Sequence, residues 1–194
     1  MIAKNLAVLF RQSVSSFPQK KALFYKESGK YQSITWSEFQ KKVEAVAQSL
    51  YDRGFRSGDR LAILSENRPE WAIVDMAAQH LGVGTVPIYT SLASSEIQTL
   101  LGDSGAKMVA VSDNTLLEKI LVIQKNLPDL TGIIGFESSL IMQKNEVSVP
   151  LYFLKDWERT SSQALDLDAH IQLIAPDAIA SIIYTPVLRG SQKA

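Results

Sequence analysis

The chain contains no cysteine. This excludes disulfide frameworks, thiolate metal centres and a cysteine nucleophile, and it suits a reducing cytoplasm, which is the expected location. Histidine is scarce: His80 and His170 are the only two, and neither has a second histidine or carboxylate at ligand spacing, so no metal site is expected from them. There is no excess charge either. Twenty basic residues balance twenty acidic ones, and neither sign gathers into a block, so there is no electrostatic footprint for nucleic acid. No run approaches the roughly 20 apolar residues needed to span a bilayer. The first fourteen residues, Met1 to Val14, carry Lys4 and Arg11 around a short apolar stretch. They lack the long apolar core of a signal peptide and read as a short amphipathic helix, compatible with peripheral membrane contact but not with a transmembrane segment.

What the sequence does hold is apolar periodicity. At 194 residues and 46% hydrophobic content, the length suffices for one large domain or part of a bigger one. Ala22 to Tyr25 and Tyr31 to Thr35, separated by Glu27, Ser28 and Gly29, predict a β-hairpin. Thr35 and Glu38 stand at capping-box spacing ahead of Phe39, Val43, Val46 and Leu50, and Gly54 supplies a left-handed stop. Arg60 to Leu64 predicts a buried strand, and Trp71 to Leu81 a helix whose start, Ser65 to Glu70, uses capping-type residues before Pro69. The cycle repeats: Thr85 to Tyr89 as strand, a helix capped by Ser94, Lys107 to Val111 as strand, Asn114 to Lys125 as helix, Thr131 to Phe136 as strand. Glu137 to Asp177 is looser, with one clear strand at Leu151 to Leu154, and Ala178 to Thr185 predicts a last strand. Such alternation with short connections predicts an α/β fold, a doubly wound and mostly parallel sheet with a small N-terminal hairpin.

The stretch Gly58-Asp59-Arg60-Leu61-Ala62-Ile63-Leu64-Ser65-Glu66-Asn67-Arg68-Pro69-Glu70-Trp71 resembles the adenylate-forming (AMP-binding) superfamily, in wording typical of its long-chain fatty acyl-CoA synthetase branch. Ile34 to Phe39, Val86 to Tyr89 and Asp103-Ser104-Gly105-Ala106-Lys107 are similar to the same family in the same order. The resemblance implies that the fold is the N-terminal subdomain of such an enzyme. It also implies a two-step reaction: a fatty acid carboxylate attacks the α-phosphate of Mg-ATP to give an acyl-adenylate, and coenzyme A then displaces AMP. Fatty acid, ATP, magnesium and coenzyme A are thus the implied substrates and cofactors of a full-length member. The family grips the triphosphate with a YTSGTTG-x-PKG loop, whose backbone donors and lysine meet the departing charge.

Tyr184 and Thr185 open that motif, but the chain continues Pro186-Val187-Leu188-Arg189-Gly190-Ser191-Gln192-Lys193-Ala194. Proline offers no N–H, and Val187 and Leu188 replace a glycine and a hydroxyl with bulky groups. Gly190 and Lys193 match the family by position alone. Deleting one nucleotide from a suitable codon series for SGTTGEPKG is sufficient to write Pro186 to Ala194, so a frameshifted tail is expected at 186–194 behind a partial AMP-binding subdomain at 1–185. The expectation is an N-terminal fragment, inactive alone, with no catalytic or metal-ligating residue of its own. Two alternatives stay open: a non-catalytic binding or regulatory module with the same fold, and a fragment of an acyl-[acyl carrier protein] synthetase.

Other candidates have plainer readings. Ser65 to Trp71 reads as helix-start chemistry, and His80 as a cation suited to a helix C-terminus. Trp36, Trp71 and Trp157 read as packing residues, Asp166 and Asp168 as solvated charge on a loop. Gly82-Val83-Gly84 lacks the third glycine of a dinucleotide motif. Exposed apolar surface and aggregation are expected of a partial domain.

Overall fold

The computed structural model describes residues 3–140, 148–158 and 165–185. Helix α1 (Leu6–Ser16) starts where the Asn5 side chain accepts the Val8 N–H at 2.9 Å. Strands β1 (Lys21–Glu27) and β2 (Lys30–Thr35) form the expected antiparallel hairpin. Glu27 pairs with Lys30, so the loop is Ser28-Gly29, and both take positive φ (48° and 80°), as a two-residue turn matched to strand twist requires.

Helix α2 (Trp36–Asp52) has its predicted capping box: Glu38 N–H reaches Thr35 Oγ1 at 3.2 Å, and the Glu38 carboxylate accepts the Thr35 N–H at 2.8 Å. Those bonds favour the ionised carboxylate, chiefly the one from the Thr35 backbone, and hold Glu38 below its ordinary pKa. The rest alternates: β3 (Arg60–Leu64), α3 (Pro69–His80), β4 (Gly84–Ile88), α4 (Ser94–Ser104), β5 (Met108–Val111), α5 (Asn114–Ile123), β6 (Gly132–Gly135), β7 (Leu151–Phe153) and α6 (Leu167–Leu173).

The five strands β3 to β7 form one sheet in the order β4-β3-β5-β6-β7, every ladder parallel. Alternation along each strand serves two cores. Leu61, Ile63, Met108, Ala110 and Ile134 face α1, α2 and α3, while Ala62, Leu64, Val109, Val111 and Ile133 face α4 and α5. Helices therefore cover both faces, which is why the strands read as nearly unbroken apolar runs. Leu61, Ile63, Leu64 and Ile133 are fully buried, and each contributes about 1.5–3 kcal/mol by leaving water. Trp157 is buried, and Trp36 and Trp71 pack against the same core, in keeping with their reading as packing residues.

Five local expectations fail. The loop before α3 does not cap it: Arg68 is the N-cap with no side-chain bond, and the Ser65 hydroxyl donates instead to the Glu66 carbonyl at 2.8 Å. Ser94 is the first residue of α4, not its cap; Ala93 holds that place, and the Glu96 carboxylate accepts its N–H at 2.8 Å. Asp166 and Asp168 are exposed, as solvated charges are, but they mark a helix start and not a plain loop: Asp168 lies in α6 and Asp166 is its N-cap. Asp166 caps α6 through the Ala169 N–H at 3.0 Å, and Asp168 pairs with Arg11 at 3.0 Å. His80 is no cation: its ring is fully buried against Phe10, and burial first of all drives its pKa down to about 4. The predicted strand at Ala178 to Thr185 reduces to one parallel bridge, Thr85 with Ser181. Among the described residues no strand adjoins its outer side, and Ile179 and Ile183 stay 64% and 68% exposed.

Candidate functional site

Doubly wound sheets bind ligands at the carboxyl ends of their strands, where the chain leaves a central strand in two directions. Here that point lies between β3 and β5, since β4 sits on one side of β3 and β5 on the other. The loops after these strands carry a polar network. Glu66 accepts a hydrogen bond from the Thr90 hydroxyl, and Lys119 Nζ donates to the Thr90 and Leu92 carbonyls at 2.7 and 2.8 Å. Arg68 binds Glu70 at 2.7 Å and Glu137 at 2.9 Å, with its guanidinium 5.7 Å from the Phe136 ring centre. Partial burial works against the charge on Arg68, but the two carboxylates outweigh it and raise its pKa. Arg68 and Lys119 are thus committed to protein partners. Ser65 to Trp71 holds the sheet's rim together through the Arg68 pairs with Glu70 and Glu137 and the Glu66 bond to Thr90, and of these only Glu70 stands near Arg68 in sequence.

The opposite end of the sheet joins two of the stretches that carry the sequence resemblance. Lys107 Nζ lies 2.7 Å from Asp59 Oδ2, and Arg60 Nε donates to the Ser104 carbonyl at 2.5 Å. Gly105 adopts φ 60°, and a Cβ there would stand 2.9 Å from Arg60 Nη2. The Gly58-Asp59-Arg60 and Asp103-to-Lys107 segments are therefore mutual anchors at the amino ends of β3 and β5, a structural role.

Tyr184 belongs to this end. After Pro176 the chain follows the outer edge of β4: the Thr85 N–H donates to the Ala180 carbonyl at 3.0 Å, and the Ile182 N–H donates to the Thr85 carbonyl at 2.8 Å. Gln79 Nε2 adds a bond to the Ala180 carbonyl at 2.7 Å. The Tyr184 ring then packs on the α4/α5 side of the core, and its hydroxyl donates to Asp103 Oδ2 at 2.5 Å, in the last turn of α4. Burial and the adjacent Asp103 carboxylate push the phenol up to about 12. Because α4 runs back from the carboxyl to the amino ends of the strands, the Tyr184 hydroxyl faces away from the switch point. Thr185 is exposed. Gly190 and Lys193 lie outside the described residues.

An open cavity of about 540 Å³ lies beside Tyr184, between Gly58, Arg60, Gly84, Asp103 and Ile182. A second, of about 650 Å³, runs along β1 opposite Asn67, Arg68 and Pro69. Among the described residues no group of three or more histidine, aspartate or glutamate side chains converges as a metal site.

The architecture and the residue pattern agree with what known proteins show: the chain belongs to the family of AMP-binding enzymes, which it matches over residues 10–186. Among curated relatives, it is 28% identical to fatty acyl-CoA synthetase A of Dictyostelium discoideum over 85% of this chain and 24% of that protein. It is 25% identical to the human long-chain-fatty-acid–CoA ligase ACSBG1, over 95% of this chain and 25% of the relative. The chain therefore spans about a quarter of the length of the curated relatives it matches. Two solved structures share the fold at a TM-score of 0.69. One is the anthranilate CoA ligase AuaEII in complex with anthranoyl-AMP, 24% identical, covering 83% of this chain and 29% of that one. The other is a putative long-chain-fatty-acid CoA ligase from Rhodopseudomonas palustris, 23% identical, covering 84% and 37%. No helix among the described residues is long and apolar enough to cross a membrane.

Proposed function

We propose that this chain is the N-terminal scaffold of an ATP-dependent fatty acyl-CoA synthetase, and that alone it does not form an acyl-adenylate. Support for the substrate class comes from its relatives, a fatty acyl-CoA synthetase and a long-chain fatty acid ligase, aligned along most of this chain. The observation that carries the second half is the commitment of Arg68, Lys119 and Tyr184 to partners within the protein. Arg68 and Lys119 are satisfied internally, and Tyr184 is turned toward Asp103 at the wrong end of the sheet. These three side chains are therefore not offered to Mg-ATP, and no chemical step is assigned to them. Residues 1–185 act as a partial subdomain, followed by a tail at 186–194 that opens with Pro186, Val187 and Leu188, which offer neither flexible backbone nor hydroxyls to a triphosphate. In an intact enzyme, magnesium, coenzyme A and the catalytic groups would be held by later segments. A cytoplasmic, peripherally membrane-associated enzyme is the corresponding setting.

The test pairs two proteins. The isolated chain is expected to show no palmitate-dependent exchange of pyrophosphate into ATP and no heat of ATP binding. Residues 1–185 fused to the phosphate loop and remaining three-quarters of the Dictyostelium relative are expected to make palmitoyl-AMP. Exchange by the isolated chain would sink the scaffold reading; a folded but silent fusion would sink the fatty acid ligase reading.

A further inference from the structure

The β1–β2 hairpin and its root carry a local excess of positive charge in a chain of zero net charge. Residues 17–33 contain Lys20, Lys21, Lys26 and Lys30 against Glu27 alone. Its two faces differ sharply. Leu23 pairs with Ile34 and Tyr25 with Gln32 on the side that packs against α2 and α3, so Leu23, Tyr25 and Ile34 join the core. Phe24 pairs with Ser33 and Lys26 with Tyr31 on the other side, which faces solvent. There Phe24 is 65% and Tyr31 80% exposed, with no aromatic residue directly opposite either one.

Each aromatic group is accompanied by an ammonium. Lys21 Nζ lies 5.8 Å from the Phe24 ring centre, Lys20 Nζ lies 4.5 Å from that of Phe17 at the root of the hairpin, and Lys26 stands opposite Tyr31. The pattern sets apolar bodies and positive heads at one depth. A protein partner would be recognised by anchors meeting pockets. Rings separated by short or charged neighbours on a ribbon instead suit a surface into which each ring dips on its own while the lysines stay among phosphates.

We propose that the outer face of this hairpin is a docking surface for an anionic lipid bilayer, with Phe24 and Tyr31 entering the interfacial region and Lys20, Lys21 and Lys26 contacting lipid phosphates. The inference goes beyond the catalytic reading and stands without it. It gives the bound chain a defined orientation: the hairpin's inner face, α2 and the sheet lie away from the membrane.

The experiment is co-sedimentation of the full chain with vesicles of phosphatidylcholine alone or mixed with phosphatidylserine, at low and high salt. Binding is expected to the mixed vesicles, weakening as salt screens the lysines. Lys21→Gln with Lys26→Gln should lower partitioning about 25-fold, at about five-fold per lysine. Phe24→Ser with Tyr31→Ser should lower it at least as much, and at both salt concentrations. All four side chains are surface groups, so an unchanged urea midpoint verifies that each variant is folded; Tyr31→Gln alone serves if a pair is not. A matched control, Val122→Ser with Lys125→Gln on the exposed side of the α5 region, should leave binding unaltered. Equal loss from the control pair, indifference to the hairpin variants, or a preference for poly-glutamate over phosphatidylserine vesicles that the same variants abolish would each overturn the proposal.

Discussion

His80 offers a measurement that isolates one buried ring. Its Nδ1 faces the Met76 carbonyl at 2.7 Å, so that nitrogen carries the proton, and Nε2 has no hydrogen-bond partner among the described residues. Burial dominates in lowering its pKa from 6.5 to about 4; the Met76 carbonyl opposes this, and Arg11 adds to it. Glu44 and Asp168, which pair with Arg11, pull weakly the other way. Because the unfolded chain binds this proton more readily than the native one, the native state is favoured fully above pH 6.5 and loses that advantage as pH falls toward 4. The gap from 6.5 to about 4 corresponds to roughly 3 kcal/mol. With a urea dependence of about 2 kcal/mol per molar, the midpoint should fall by about 1.5 M between pH 7 and 4 from this ring alone. Other groups titrate in the same window, so the comparison is between the native chain and His80→Gln, which retains a neutral donor for Met76. The variant should lack most of that pH dependence. Parallel urea midpoint curves for the two proteins would refute the assignment of a neutral, buried ring.

Three further outcomes are expected. Asp75, raised in pKa chiefly by burial although it accepts the Thr85 hydroxyl at 2.7 Å, should be replaceable: Asp75→Asn should match or exceed the native urea midpoint at pH 7, the advantage shrinking as the pH falls. Gly132→Ala would bring a Cβ within 2.5 Å of Met108 Cε and 3.1 Å of Tyr152, costing about 1–2 kcal/mol in urea unfolding, and adding Met108→Val should recover part of it. Tyr184→Phe removes the bond to Asp103, and the Ile182 N–H, bonded across to Thr85, should exchange with solvent about tenfold faster, with a tyrosine titrating near 12 lost from the spectrum.

The core fold was legible because its signals are local. Thr35 and Glu38 announced α2, the continuous Leu61 to Leu64 run announced a strand covered on both faces, and Gly105 marked the end of α4. The site was not, because its geometry depends on residues far apart in the chain. Nothing near Arg68 in sequence shows that Glu137 pairs with it, and nothing near Tyr184 shows that its hydroxyl turns to Asp103. Helix α6 was legible and overlooked: Leu167, Ile171 and Ile174 keep helical spacing behind the capping Asp166, and all three are buried. The last strand misled for the converse reason. Ala178 to Tyr184 has a strand's composition, yet composition does not supply the neighbour a strand pairs with.

The single rung joining Ser181 to Thr85 leaves the remainder of that border of the sheet unclaimed among the described residues. Ile179 and Ile183 project beside it without cover. Pro87, the next outward-facing residue after Thr85, offers a carbonyl but no N–H, so what lies open there is greasy side chain and not a full ladder. Purified at high concentration, copies of this chain should associate through Ile179 and Ile183, and Ile179→Lys with Ile183→Lys should keep them apart.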